Sequence, residues 1–356
     1  VVKDEKELEK YCEKYLTEDL DLDLIQKINS AIQDAYGLGK REDIDYKEDT
    51  KSELISKMNN IIETHDTRQM EAILADPVGI QRIRGMAGSG KTIVLARKAV
   101  ELHTAHPEWK IVVTYNTRSV QPMLESLIDR LYRKKNNNQR PNYDNLIIMH
   151  GWGGVSSPGF YYNICKFYNI EHLNLGQATV RFGRNLAFSG ACNKVLKEVS
   201  EFKKIFDCIL IDEAQDFPIP FFQLCLNSLD KNKRLVYAYD ELQKLNEEAM
   251  PLPNKIFNTE IAIDTPLKVS YRNQSSVIVT AHAIGMGVYK DLENQNENLV
   301  QIPESNVMWD VIGYTSDKVV EEKQEILLYR TKETSPDYLN TDLGSLVNIY
   351  HVEQKK

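Results

Sequence analysis

No two of the five cysteines (Cys12, Cys165, Cys192, Cys208 and Cys225) stand at a C-x-x-C spacing in this chain of 356 residues. That pattern argues against a disulfide scaffold and predicts reduced thiols in a cytoplasmic protein. No apolar run reaches the roughly 20 residues that a membrane helix requires, and no signal peptide opens the chain, so no membrane partner is expected. Val1 rather than Met stands first, so the natural N-terminus is expected to lie upstream. Histidine is also sparse: His103 and His106 stand three apart, but no further ligands cluster near them, so they read as packing or surface residues rather than a metal site. Basic charge is not in excess, the formal net charge being −8. Residues 1–50 carry 15 acidic and 8 basic side chains, which leaves the rest of the chain close to neutral. A groove for one nucleic-acid strand needs only local basic and aromatic groups, so the overall sign does not exclude it. No internal repeat is evident.

What is present is ordinary for a globular protein: 42% hydrophobic and 27% charged residues. The length predicts two domains. The chain is organised around Gly85-Met86-Ala87-Gly88-Ser89-Gly90-Lys91-Thr92, which fits the phosphate-loop pattern G-x-x-x-x-G-K-[ST]. Small residues let backbone N–H groups turn inward around phosphate oxygens. On this reading Gly85, Gly88, Ser89 and Gly90 line the phosphates. Lys91 brings a point charge to the β- and γ-phosphates, and Thr92 offers a hydroxyl to Mg²⁺. Ile80 and Ile83 predict a strand before the loop. The pattern from Thr92 to Glu101 predicts a helix whose N-terminus faces the anion.

Taken in order, residues 1–64 read as helices and turns with acidic solvated faces. Gln69 precedes the loop by sixteen residues; its amide has the donor and acceptor needed to read adenine. Lys110 to Tyr115 predicts a buried strand, delivering Thr114, Tyr115 and Asn116 to the ligand side of an open α/β sheet. A helix is expected from Met123 to Tyr132, then an exposed basic loop from Arg133 to Asn142, then a strand from Leu146 to Met149 ending in His150. Residues 151–203 read as a glycine-rich turn and a helical insertion. Its Phe160, Tyr161, Tyr162, Lys166, Arg181 and Arg184 suit either a nucleic-acid strand or, for the aromatics, core packing. Phe206 to Asp216 predicts a strand carrying two carboxylates to the sheet edge. Asp212 suits Mg²⁺, and Glu213 suits the base that activates water. Arg234 to Tyr239 is a further strand, followed by Asp240 and Gln243. Asp264-Thr265-Pro266 reads as an interdomain link, and Ser275 to Tyr289 as a helix. Short strands are expected at Val311 to Tyr314, Ile326 to Tyr329 and Leu346 to His351.

With these residues together, the chain resembles the UvrD/Rep-like group of superfamily 1 helicases. The likeness covers roughly residues 66–290. It runs in order through Gln69, the loop Gly85–Thr92, Thr114-Tyr115-Asn116, Asp212-Glu213-Ala214-Gln215-Asp216, Asp240 with Gln243, and Ser270-Tyr271-Arg272. Residues 1–290 look more narrowly like bacterial proteins that fuse an N-terminal nuclease-related (NERD) domain to such a helicase, on R-I-R-G-M-A-G-S-G-K-T and Y-A-Y-D-E-L-Q. The nuclease domain would then precede Val1. The sequence departs from the group at Tyr239, where glycine is usual, and in lacking two late motifs that supply a second arginine and further strand contacts.

The resemblance implies an α/β fold. Residues 65–264 would form a RecA-like P-loop NTPase domain with a parallel sheet. A helical N-terminal segment (1–64) would precede it, and a partial second RecA-like domain (265–356) would follow. It implies that Gln69 reads adenine, Tyr271 stacks on the base and Arg272 reaches the γ-phosphate. Gln215 and Gln243 would couple phosphate state to movement. The expected catalytic set is Glu213, Lys91, Arg272 and Gln243; the metal would lie on Thr92 and Asp212. Thr114, Tyr115, Asn116 and His150 are the candidate nucleic-acid contacts, with Tyr115 against a base. The expected activity is ATP-driven translocation on single-stranded DNA with Mg²⁺, beside a nuclease domain or subunit in defence against foreign DNA. The alternative is an ATP-dependent switch that binds nucleic acid or a partner without processive unwinding.

Overall fold

The computed structural model describes residues 67–76, 78–240, 242, 253–273, 275–285, 306–316, 328–331 and 333–335. All of them belong to one compact unit, Tyr46–Lys356. The segment 1–64, Gln243 and the strand expected at 346–351 lie outside the described residues.

The protein is α/β. Helix α1 (Thr67–Leu74) leads into strand β1 (Ile80–Gly85), the glycine-rich turn and helix α2 (Lys91–Ala105). Strand β2 (Ile111–Tyr115), helix α3 (Gln121–Lys135) and strand β3 (Leu146–His150) follow. Helices α4 (Phe160–Phe167), α5 (Leu175–Phe182) and α6 (Ala187–Glu198) form the insertion. Strand β4 (Cys208–Ile211), helix α7 (Ile219–Asn227) and strand β5 (Leu235–Asp240) complete the centre. Helix α8 (Pro253–Phe257), strand β6 (Ile263–Leu267) and helix α9 (Ser275–Gly285) come next. Helix α10 (Asn306–Val311) and the strands β7 (Thr315–Ser316) and β8 (Leu328–Tyr329) are the last.

Six strands form one sheet in the order β3-β2-β4-β5-β1-β6, and every pairing is parallel. Such a sheet is covered on both faces, which is why β2, β4 and β5 read as nearly continuous apolar runs. On one face Val112, Ile209, Ile211, Leu235 and Tyr237 join a core with Phe160, Tyr161, Phe221 and Phe222. Phe160 and Tyr161 are therefore core residues of the insertion and are not presented to a strand. Tyr239 is buried in the same core, its ring stacked 6.0 Å from that of Tyr237. All four described cysteines are buried and free.

Three elements differ from their sequence expectation. Asp264-Thr265-Pro266 is not a link but lies inside β6, opposite Arg82, Ile83 and Arg84 of β1. Both arginines reach Asp264 with two nitrogens each, at 2.6–3.0 Å. Proline is tolerated because β6 is the sheet's edge and needs no donor there. Second, Arg133 to Lys135 continue α3 instead of starting a loop. Arg133 Nε donates to Asp129 at 2.7 Å across one turn, and Lys135 pairs with Glu101 of α2. Third, Val311 closes helix α10, so the expected strand at 311–314 is displaced to β7, which pairs antiparallel with β8.

Candidate functional site

Five segments meet at the carboxyl end of the central strands: the turn after β1, the ends of β2, β4 and β5, and the segment after β6. That edge is where open α/β sheets bind ligands. Gly88 and Gly90 have φ of 84° and 87°, a region open to glycine at no steric cost. Space imposes the same choice. A Cβ at Gly88 would stand 2.8 Å from Arg272 Cβ, and one at Gly90 would stand 2.7 Å from Gln69 Nε2. The turn delivers the first residue of α2, Lys91, into the site. Its Nζ donates to the carbonyls of Gly85 and Met86 at 3.0 Å and lies 3.3 Å from Asp240 Oδ2. Gln69 is buried on α1 and donates from Nε2 to Ser89 O at 2.8 Å, which ties that helix to the turn.

Thr92 and Asp212 are 120 positions apart in sequence, yet Thr92 Oγ1 donates to Asp212 Oδ2 at 3.0 Å. Asp212 is almost wholly buried, and its Oδ1 has no hydrogen-bond partner. Burial, aided by the neighbouring Glu213, pushes its carboxyl up to about 6. A buried carboxylate oxygen without a donor, beside a threonine hydroxyl, fits a cation. Mg²⁺ is commonly held by one or two protein oxygens together with water and substrate phosphate. Among the described residues no three His, Cys, Asp or Glu side chains converge on a metal. A hard ion shared with a phosphate does not require such a cluster.

Glu213 stands in the left-handed region at φ 48°, ψ 50°, a strained conformation for a residue with a side chain. The strain turns Glu213 out of the strand direction that buries Asp212. Gln215 holds it there: Gln215 Nε2 donates to Glu213 Oε2 at 2.6 Å, while Gln215 Oε1 accepts from Asp240 N at 3.1 Å. A continuous polar chain therefore runs from Glu213 through Gln215 and Asp240 to Lys91. Asp216 completes the segment, its side chain bonded to Asn116; burial, with Glu213 nearby, pushes its carboxyl up to about 6.

Tyr271 N donates to Gly88 O at 3.0 Å, which seats the Tyr271-Arg272 pair directly over the glycine turn. Tyr271 is half-buried and Arg272 exposed.

The candidate nucleic-acid contacts are placed differently. Thr114 and Tyr115 are buried, and both hydroxyls lack a hydrogen-bond partner. Burial lifts the Tyr115 phenol to about 12. His150 is half-buried with both ring nitrogens engaged. Its Nδ1 accepts from the N–H groups of Trp152 and Gly153 at 3.0 and 3.2 Å. That leaves Nε2 to carry the proton and donate to Asn116 O. The imidazole thus pins the glycine-rich turn of the insertion to the end of β2. Of the four, Asn116 alone sits at the site's rim, with its side chain on Asp216. His103 is a packing residue: it is buried on α2 and its Nε2 accepts from Asn142 N at 3.2 Å.

Two residues that sequence reasoning did not single out shape the site. Lys98 is buried on α2 and donates to the carbonyls of Ala72 and Ile73 at 2.9 and 3.3 Å and to that of Ala75, closing the C-terminal end of the helix that carries Gln69. Arg330 is buried against Met86 of the glycine turn. A lysine in an amphipathic helix and an arginine after a short apolar run carry no local signal of either role. No protein-family profile matches the chain, and no curated protein matches it.

Proposed function

We propose that the chain is a Mg²⁺-dependent ATPase with a RecA-like domain, of the UvrD/Rep-like superfamily 1 kind, which couples ATP hydrolysis to movement on single-stranded DNA. The observation that carries the reading is the hydrogen bond from Thr92 to Asp212, formed at the foot of a glycine turn that also presents Lys91. A chance glycine-rich turn gives no reason for a buried carboxylate to meet the hydroxyl of its last residue.

In this reading Lys91 exchanges the Asp240 carboxylate for phosphate oxygens when the nucleotide arrives. Thr92 and Asp212 would hold Mg²⁺, which would supply charge to offset that of the phosphates. Glu213, held by Gln215, takes a proton from water as the water oxygen bonds to the γ-phosphorus. The bond to the bridging oxygen breaks, and ADP and phosphate leave. Gln215 and Asp240 connect that carboxylate to Lys91, so the state of the phosphates acts on both. Gln69 and Tyr271 flank the turn from α1 and from the segment after β6, where they would contact the base.

The burial of Thr114 and Tyr115 favours a second reading, an ATP-dependent switch that binds a strand or partner without unwinding. Fluorescence anisotropy of a labelled single-stranded oligonucleotide, with and without a non-hydrolysable ATP analogue, tests both when joined to a strand-displacement assay. Translocation predicts an affinity shift of about tenfold or more, corresponding to about 1.4 kcal/mol of coupling, together with displacement. A shift without displacement supports the switch. No nucleotide-dependent shift and no displacement would remove nucleic acid from the account.

A further inference from the structure

Arg330 is buried, and all of its donors go to neutral acceptors. Nε donates to Ser335 Oγ at 2.7 Å. Nη2 donates to the carbonyls of Lys268 and Thr334 at 3.0 and 2.7 Å. Nη1 donates to the carbonyl of Ile312 and lies 3.3 Å from Met86 Sδ. The guanidinium also stands 5.1 Å from the centre of the Tyr314 ring. Among the described residues no carboxylate pairs with it. Burial without a counter-ion pulls its pKa down to about 10. A buried, unneutralised cation is expensive unless something repays it.

Its partners show where it acts. Thr334, whose carbonyl it holds, accepts from Ser270 N at 3.0 Å through the same oxygen. The next residue, Tyr271, donates to Gly88 O at 3.0 Å. Arg272 then packs so closely over Gly88 that no Cβ fits beneath it. On the other side Met86, the second residue of the turn, is buried with Trp309, Ile312 and Tyr314 in a small apolar cluster. Arg330 therefore touches the turn through Met86 and reaches it again through Thr334 and Ser270. The shape around it is specific: Gly313, at φ 83°, leaves no room for a Cβ beside the guanidinium.

We propose that Arg330 is a positioning residue for the nucleotide, a clamp that fixes the glycine turn and the Tyr271-Arg272 pair in one arrangement and adds an unneutralised positive charge behind the turn. The bound polyphosphate is then the anion that this charge otherwise lacks. The inference rests on the nucleotide reading above. It concerns a residue whose donors all point into protein, so Arg330 does not itself contact phosphate.

The test compares Mg-ATP and Mg-ADP affinity, by calorimetric titration well below the melting temperature, for the wild type and for Arg330→Gln, Arg330→Lys and Met86→Leu. Loss of the charge should weaken ATP more than ADP, because ATP carries more negative charge. Arg330→Gln is expected to weaken ATP by about tenfold or more, a change of about 1.4 kcal/mol. Arg330→Lys should recover part of that loss because it keeps the charge and loses the fork. A structural role alone would lower the melting temperature of all variants and leave the ATP-to-ADP ratio unchanged. That ratio holding at the wild-type value in folded Arg330→Gln overturns the proposal; if that variant does not fold, wild-type affinity for both nucleotides in folded Arg330→Lys, which keeps the charge and loses the fork, overturns it instead. A wild type that binds neither nucleotide overturns the nucleotide reading and the clamp together. A wild type that binds both, with unchanged variants, overturns the clamp alone.

Discussion

Asp212 is a residue whose burial works against stability. Its carboxyl lies in the interior with one oxygen unpartnered, and Glu213 stands beside it. At neutral pH, in the absence of metal and nucleotide, an ionised carboxylate there costs on the order of 2 kcal/mol. Asp212→Asn keeps an oxygen for Thr92 and removes the charge, so it should melt several degrees higher than wild type while losing Mg²⁺-dependent turnover. Thermal unfolding of the nucleotide-free proteins beside a steady-state ATPase assay checks this; a variant that melts lower than wild type would show that the carboxylate is compensated. Much at this scale was legible in the sequence. Lys91, Thr92, Asp212 and Glu213 were named from spacing, and the structure brings Thr92 onto Asp212 and leads Glu213 to Lys91 through Gln215 and Asp240. Tyr115 and His150 were less legible. A tyrosine at a strand's end has the same local pattern whether its ring faces a ligand or the interior, and here neighbouring elements cover it.

Helix α1 has eight residues, short for a helix to stand without tertiary support. It must nevertheless hold Gln69 within hydrogen-bond reach of Ser89. Lys98 supplies that support by donating to the carbonyls at the helix's C-terminal end. Burial lowers the Lys98 pKa to about 8, against an ordinary value near 10.5. Between those values the unfolded chain binds the proton more than the folded chain does, so this residue's contribution to stability rises with pH across that window. Urea midpoints of wild type and Lys98→Met at pH 7.5 and pH 9.5 test the sign. The difference should move in favour of the wild type at the higher pH, by up to about 2 kcal/mol, and a difference independent of pH would refute the assignment. Lys98→Met should also loosen α1, raising KM for ATP more than it lowers kcat, because Gln69 contributes uniform binding. At element scale β2, β3, β4 and β5 were legible as apolar runs, and β1 from Ile80 and Ile83 ahead of the glycine turn. β6 was not, because its sequence Ile-Asp-Thr-Pro-Leu has a charge and a proline where a strand is normally apolar. Two arginines two positions apart on β1 neutralise that charge, and this pairing spans 180 residues or more of sequence.

Across the molecule, the candidate site is built from segments that the chain supplies between Gln69 and Ser335. The sequence offers one arginine expected to reach the γ-phosphate, Arg272, and lacks the late motif that would supply a second. The structure places another arginine, Arg330, beside the turn, yet its donors are taken by backbone and hydroxyl oxygens and a thioether. It holds the turn and does not replace a residue that acts on the transferring phosphoryl group, so turnover by this chain is expected to be slow. The central claim is narrower: the turn from Gly85 to Thr92 binds a triphosphate, and Glu213 acts on chemistry rather than binding. Titration of a fluorescent ATP analogue into wild type, Lys91→Ala and Glu213→Gln, with single-turnover hydrolysis measured on the same samples, tests it most directly. The account predicts that Lys91→Ala weakens binding by about tenfold or more, a loss of about 1.4 kcal/mol, and that Glu213→Gln binds as wild type and loses hydrolysis. Equal loss of binding in the two variants, or wild-type binding in Lys91→Ala, would contradict it.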